Sequence, residues 1–169
     1  IKSVEPGGAI YIDLKTVKIK KSTIYQSVDI EVGRDFPTRK IETIENSLIS
    51  AINYRLIADV PISFLLSGGV DSSLITYLAG LDNTIDTYYL GYKDKDDPFE
   101  GLSKLVAQKI QSKHHIHKMG KPVFGNSLSK MIDLFDEPFA DYSALPSYEI
   151  YKIISNKTKV ATSGDGADE

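Results

Sequence analysis

The alternation of short apolar runs with longer amphipathic stretches constrains the fold of this chain most strongly. Residues 62–66 form a short apolar run typical of a buried strand, and further strands are predicted at 85–90, 114–119 and 158–162. Between them lie stretches whose apolar residues recur three and four apart, as in helices. Strands that alternate with helices in this way pair in parallel and are covered on both sides. The sequence therefore predicts an α/β fold, a parallel sheet with helices on both faces.

The expected helices span 37–58, 72–79, 99–111, 122–135 and 143–156. The apolar face of the first is formed by Ile41, Ile44, Leu48, Ile52 and Leu56. Residues 1–36 lie outside this pattern, and their β-prone runs 9–12 and 16–19 with the turn residues Pro6-Gly7-Gly8 indicate a hairpin or linker. The chain lacks an initiator Met and stops just after a glycine-rich turn, so we expect a piece of a longer protein.

Composition excludes several functional classes. The 20 basic and 23 acidic residues give a net charge of −3, so we expect neither nucleic acid nor an anionic membrane as a partner. No cysteine is present, which excludes disulfides, thiolate metal sites and cysteine nucleophiles. No apolar run approaches the roughly 20 residues of a membrane span, so we expect a cytoplasmic protein.

Two glycine-rich loops carry the chemistry. The first, S-G-G-V-D-S-S at 67–73, joins a predicted strand to a helix, a context in which glycines and helix N–H groups suit a phosphate. Asp71 would repel a bare phosphate and is better explained as a ligand of a bridging Mg²⁺. The pattern is not a Walker A loop. The structural alternative is a simple strand-to-helix turn with Asp71 or Ser72 as N-cap.

The second loop, S-G-D-G-A-D-E at 163–169, also follows a predicted strand. Its carboxylates, Asp165, Asp168 and Glu169, repel one another unless a cation lies among them, and the alternative is an exposed acidic turn. Because carboxyl ends of parallel strands share one edge of the sheet, we expect both loops on the same rim.

Other polar residues are weaker candidates. His115 and His117 would share one face of a strand and His114 the other, and with no acidic partner nearby in sequence we favour a polar strand end over a metal site. Residues 94–97 are expected to form a solvated loop. Ser143 is expected to cap the last helix, whose first turn tolerates Pro146.

These motifs resemble a known family. The first loop resembles the pyrophosphate loop of the N-type ATP pyrophosphatases. Three segments in family order, 59–69, 136–148 and 163–169, resemble the synthetase domain of glutamine-hydrolysing asparagine synthetases. The resemblance implies an adenine nucleotide α-hydrolase-like fold, with 1–36 as linker or end of a preceding N-terminal domain and 37–169 as the first part of a truncated synthetase domain.

The resemblance also implies roles for individual residues. The positions that match ATP phosphate contacts are Ser67, Gly68, Gly69, Asp71, Ser72 and Ser73. Leu65 and Leu90 match positions bordering adenine and ribose, and Ser163, Gly164 and Asp165 match a second nucleotide-contacting turn. Asp71 and Asp168 match the catalytic, Mg²⁺-binding pair, and residues 142–148 match the region near the amino-acid substrate.

The implied reaction uses ATP and Mg²⁺ to adenylate the side-chain carboxylate of aspartate, which ammonia then converts to an amide. The ammonia would come from a glutaminase domain that cannot be in this cysteine-free sequence, and we expect the isolated chain to bind ATP weakly or not at all and to show no turnover. Alternatives are relatives that act on another carboxylate, in β-lactam synthesis, lasso-peptide closure or polysaccharide sugar amidation, or a non-catalytic nucleotide-binding module. Tyr142 and Ala167 depart from the commonest family pattern. A homodimer remains open.

Overall fold

The computed structural model describes residues 4–24, 40–93, 96–135 and 141–166. Its contacts divide the chain into two units, Ile1–Lys40 and Ile41–Glu169. The first unit contains an antiparallel hairpin of β1 (Gly8–Asp13) and β2 (Lys18–Ile24). The hairpin turns at residues 14–17, where the Val17 N–H donates to the Asp13 carbonyl at 2.7 Å. Pro6 and Gly7 lie ahead of β1, which begins at Gly8.

The second unit confirms the predicted α/β fold. Its elements are α1 (Lys40–Leu56), β3 (Ile62–Leu65), α2 (Val70–Gly80), β4 (Asp86–Tyr92), α3 (Pro98–Lys109), β5 (Lys113–Met119), α4 (Lys121–Leu134), α5 (Ala144–Ile154) and β6 (Val160–Thr162). Its four strands form a parallel sheet in the order β5-β4-β3-β6.

Neighbouring residues of β3 show that helices cover both faces of the sheet. Phe64 is buried in a core cluster that includes Ile52 of α1 and Ala79 of α2. Leu65 packs instead against a second cluster, formed by Tyr88 of β4 with Ile150 and Ile154 of α5. Because successive side chains of a strand point to opposite faces, α1 and α2 lie on one side of the sheet and α5 on the other.

The order of the strands locates the functional edge of the sheet. The chain steps from β3 to β4 to β5 and then crosses back to β6 on the other side of β3. In parallel α/β sheets, the carboxyl ends of two strands between which the order reverses bound a crevice where ligands bind. The switch point here lies between β3 and β6, which lead into the first and second glycine-rich loops.

Two details differ from the expectations. Ile41 and Ile44 on the predicted apolar face of α1 are 73% and 52% exposed, whereas Ile52 on the same face is buried. Strand β4 extends beyond the predicted residue 90 to Tyr92, because Gly91 and Tyr92 still pair with Lys118 and Met119 of β5. Within the described residues, no helix is long and apolar enough to cross a membrane.

Candidate functional site

The first loop requires glycine at position 68. Gly68 has a φ of +84°, a region that L side chains rarely adopt. A Cβ there would lie 2.3 Å from the carbonyl oxygen of Phe99, in the first turn of α3. The loop backbone is therefore packed directly against α3, and only glycine permits this approach.

Hydroxyl groups close the first loop into a ring of hydrogen bonds. The Gly69 N–H donates to Ser67 Oγ at 3.3 Å, Ser67 Oγ lies 2.8 Å from Ser72 Oγ, and Ser72 Oγ donates to the Gly69 carbonyl at 3.3 Å. Ser72 also accepts the Ser67 N–H at 3.2 Å and is only 7% exposed. With the Ser72 proton on the Gly69 carbonyl, the Ser67 proton points to Ser72. In this arrangement both hydroxyls shape the loop.

Helix α2 begins without a side-chain cap. Its N-cap is Gly69, not Asp71 or Ser72 as the structural alternative required, and no side-chain hydrogen bond caps it. Both residues instead lie inside the first turn, where the Ser73 N–H already reaches the Gly69 carbonyl at 3.0 Å. An uncapped helix N-terminus offers N–H groups and a positive dipole end to an anion.

The second loop lies directly against the first. A Cβ at Gly164 would lie 2.6 Å from the Ser72 nitrogen and 3.0 Å from the Asp71 carbonyl carbon. The Asp165 N–H donates to Ser163 Oγ at 3.4 Å, and Asp165 itself is exposed. The structure thus brings both loops together at the sheet edge, as the strand pattern predicted.

The two predicted base-contacting leucines occupy the ends of adjacent strands. Leu65 and Leu90 are half-buried and pack against the cluster that contains Tyr88 and Ile150. They lie on the α5 side of the sheet, on the same face as each other. Their apolar surface borders the rim that carries the first loop.

The described residues do not test the predicted metal pair. Asp71 is half-buried in the first turn of α2, whereas Asp168 and Glu169 lie outside the described residues. In the part of the chain that the structure describes, no group of three or more His, Cys, Asp or Glu side chains could hold a metal ion. Asp71 with Asp168 therefore remains a prediction.

The histidines of β5 are held by other groups. His115 and His117 share a face, as predicted, and both stack on Tyr88, with ring centroids 4.6 and 6.3 Å away. His115 does have an acidic partner, since its Nε2 lies 2.7 Å from Asp86 Oδ1 on the adjacent strand. On the other face His114 contacts Thr87, and burial lowers the pKa of His114. The polar strand end is favoured over a metal site.

The segment before α5 contains a tyrosine whose side chain is almost fully exposed. Tyr142 is 95% exposed, and the flanking Asp141 accepts hydrogen bonds from the Ser143 N–H at 2.8 Å and the Ser143 hydroxyl at 2.7 Å. These bonds lower the pKa of Asp141. Ser143 is the N-cap of α5, but its hydroxyl serves Asp141 and does not cap the helix, so that expectation was wrong. Residues 136–140 of the same motif lie outside the described residues.

Two residues beside the first loop escaped the sequence analysis. Asp97 was expected in a solvated loop, yet it is half-buried and caps α3 by accepting the Phe99 N–H at 3.0 Å. It also accepts the hydroxyl proton of buried Tyr89 at 2.5 Å. An acidic residue before Pro98 at the first helical position is a recognisable helix start, and this signal could have identified Asp97.

A separate cavity of about 290 Å³ lies behind the second loop. Residues 162–166 form one wall, and apolar side chains of α1, β3 and α2, among them Leu48, Phe64 and Ile75, form the others. Its lining does not include the first loop, so the cavity is not the predicted phosphate site.

Comparisons with known proteins agree with these motifs. The family model described as asparagine synthase matches residues 43–169. A putative glutamine-hydrolysing asparagine synthetase 2 of Methanocaldococcus jannaschii is 29% identical over 95% of this chain and 31% of its own length. Asparagine synthetase 1 (glutamine-hydrolysing) of Bacillus subtilis is 29% identical over 100% of the chain and 27% of its own length. The glutamine-hydrolysing asparagine synthetase of Rattus norvegicus is 32% identical over 86% of this chain and 28% of its own length.

The chain thus spans about 30% of the length of these curated relatives. Among solved structures, an NH3-dependent NAD synthetase from Campylobacter jejuni aligns with a TM-score of 0.48 and 13% identity over 71% of this chain and 54% of its own.

Proposed function

Because the chain belongs to the asparagine synthase family, we propose that it is the ATP-binding part of a glutamine-dependent asparagine synthetase. The observation that carries this proposal is the packing of Gly164 against Ser72, which joins the two loops into one site at the switch point of the sheet. Residues 1–36 are proposed as the end of a preceding domain, and 37–169 as the first part of the synthetase domain. The proposed compartment is the cytoplasm.

The first loop suits the phosphates of ATP for two reasons. The absence of a Cβ at Gly69 leaves room for an anion to approach the backbone, whereas at Gly68 the corresponding space is taken by the Phe99 carbonyl, which fixes the turn. The uncapped start of α2 supplies N–H groups and the positive end of a helix dipole. Ser67 and Ser72 hold this shape through their ring of hydrogen bonds, and Ser73 lies in the same first turn.

The remaining proposed contacts surround this loop. Leu65 and Leu90 offer an apolar border for adenine and ribose at the ends of β3 and β4. Ser163, Gly164 and Asp165 approach the nucleotide from the β6 side. Asp71 and Asp168 would hold Mg²⁺, since carboxylate oxygens are its preferred protein ligands, and Mg²⁺ there would neutralise charge on the departing pyrophosphate.

The proposed reaction has two steps, each of which forms one bond and breaks another. A carboxylate oxygen of aspartate attacks the α-phosphorus of ATP, and pyrophosphate leaves, which gives an acyl-adenylate. Ammonia then attacks the acyl carbon, and AMP leaves with the oxygen that joined it to the acyl group. The contribution of this chain is to position the reactants and to stabilise charge on the phosphates. A glutaminase domain elsewhere in the complete polypeptide would supply the ammonia.

A second candidate, action on a different carboxylate, is favoured by one observation. Tyr142 is 95% exposed on a turn held by Asp141, in the segment that resembles the amino-acid substrate region. A large aromatic side chain there is a departure from the commonest family pattern and would alter the shape of an acceptor pocket.

The test follows AMP and pyrophosphate release by the complete polypeptide from ATP and Mg²⁺, with aspartate and either glutamine or ammonia. Aspartate-dependent AMP formation supports the proposal. AMP formation with only another carboxylate would retain the chemistry and change the substrate, and a folded protein that forms no AMP with any carboxylate would contradict the proposed function.

A further inference from the structure

The position of the first loop depends on a helix that no motif identifies. The Phe99 carbonyl oxygen of α3 lies so close to Gly68 that a Cβ on that glycine would be 2.3 Å away. A shift of the first turn of α3 toward or away from the sheet therefore either displaces Gly68 or removes its support. Whatever fixes this turn also fixes the loop.

Asp97 fixes the first turn of α3. One carboxylate oxygen, Oδ1, accepts the Phe99 N–H at 3.0 Å, and the Asp97 carbonyl accepts the Glu100 N–H at 3.1 Å. The other carboxylate oxygen, Oδ2, accepts the Tyr89 hydroxyl proton at 2.5 Å. A single side chain thus joins the start of α3 to strand β4.

Tyr89 is a rigid anchor for this carboxylate. It is 2% exposed, and its ring lies over the Cα of Gly91, where a Cβ would be 2.9 Å from ring atom Cε1. Burial, and secondarily the hydrogen bond to Asp97, raises the pKa of Tyr89, which keeps the hydroxyl protonated as a donor. The contacts Gly91–Tyr89–Asp97–Phe99–Gly68 form one continuous chain from the sheet to the loop.

We propose that the hydrogen bond between Tyr89 and Asp97 is a positioning device that sets the first loop in its phosphate-binding shape by locking the first turn of α3 beneath Gly68. Tyr89 and Asp97 are positioning residues that act through Phe99. The inference rests on the proposed function, since it assigns the loop to ATP phosphates.

The test compares Tyr89→Phe, which removes only the hydroxyl, with Tyr77→Phe, which removes the hydroxyl of a half-buried tyrosine of α2, in the complete polypeptide. The dissociation constant and KM for Mg-ATP are expected to rise on the order of tenfold in Tyr89→Phe, because the lost bond involves a charged acceptor. The KM for aspartate should stay within about twofold of the wild-type value in Tyr89→Phe, since the lost bond acts on the phosphate loop alone. Tyr77→Phe should leave the dissociation constant and both KM values unchanged.

Asp97→Asn gives an independent readout. Its remaining oxygen can still cap the Phe99 N–H, whereas the amide nitrogen cannot accept the Tyr89 proton and can only donate to the Tyr89 oxygen, so the bond to a charged acceptor is lost. The variant should therefore weaken ATP binding as Tyr89→Phe does, and the double variant should bind ATP no more weakly than either single variant, because all three lack the hydrogen bond from the Tyr89 hydroxyl to a carboxylate.

Three results would overturn the inference. They are ATP binding within about twofold of wild type in Tyr89→Phe, additive losses in the double variant, or equal rises in KM for ATP and aspartate with a lowered melting temperature. If Tyr89→Phe does not fold, the test is ATP binding by Asp97→Asn, and binding within about twofold of wild type in that variant overturns the inference. If the wild type forms no AMP with any carboxylate, the proposed function fails, while calorimetric binding of Mg-ATP still tests the positioning pair.

Discussion

Replacing Gly68 with alanine tests how the first loop is built. The added Cβ would lie 2.3 Å from the Phe99 carbonyl oxygen, whereas ordinary contact begins at 3.4 Å, so the two segments must separate by about 1.1 Å. An alanine at a φ of +84° is strained by about 1–2 kcal/mol, and forced overlap in a packed region adds about 1–3 kcal/mol. We therefore expect Gly68→Ala to lower the free energy of unfolding by about 2–5 kcal/mol, measured by urea denaturation.

Gly69→Ala is the matched control. Gly69 has a φ of −71°, and a Cβ there meets only Ser67 Oγ at 3.4 Å, so we expect a loss below about 1 kcal/mol from the poorer N-cap. In the complete polypeptide, a displacement of about 1 Å at the loop should reduce kcat/KM for ATP on the order of 100-fold in Gly68→Ala. Equal stability losses in the two variants, or wild-type ATP kinetics in Gly68→Ala, would contradict close packing of Gly68 against Phe99.

Further predictions concern the second loop, the hydroxyl ring and pH. Gly164→Ala places a Cβ 2.6 Å from the Ser72 nitrogen and should abolish ATP binding in the complete polypeptide, measured by calorimetry; wild-type affinity would contradict the contact between the loops. Ser72→Ala should lower the free energy of unfolding in urea by about 1–3 kcal/mol, since the buried Ser72 hydroxyl loses its hydrogen bonds to Ser67 and Gly69, and an unchanged urea midpoint would argue against the ring of hydrogen bonds. Burial lowers the pKa of His114 and His117 below 6.5, so the unfolded chain binds these protons first and stability falls as pH drops below 6.5. Urea titrations at pH 7.5 and 5.5 should show this loss, reduced in His114→Gln; an equal loss in that variant would contradict the His114 contribution.

The local pattern of the sequence predicted most of the fold. Strand and helix positions follow from apolar spacing, and the shared rim of the two loops follows from parallel pairing, which the contact between Gly164 and Ser72 confirms. Spacing could not predict that Ile44 of α1 stays exposed while Ile52 is buried, because burial depends on which elements pack against the helix.

The motifs singled out Gly68 and Gly164 but not the residues against which these glycines pack. Gly68 packs against Phe99, which lies beyond α2 and β4 in the chain, and no local pattern links the two residues. Tyr89 was assigned to an apolar strand, and its hydroxyl bond to Asp97 is visible only once β4 and α3 are placed side by side. Long-range contacts of this kind depend on tertiary packing, which a single sequence does not display.

Adenylation of aspartate can be followed with aspartate labelled with ¹⁸O in its side-chain carboxylate. The complete polypeptide is incubated with this substrate, ATP, Mg²⁺ and ammonia, beside an Asp71→Ala variant. Attack of the carboxylate on the α-phosphorus predicts one ¹⁸O atom in the AMP phosphoryl group, and no labelled AMP from the variant. Unlabelled AMP, or ADP and phosphate in place of AMP and pyrophosphate, would contradict adenylation at this two-loop site.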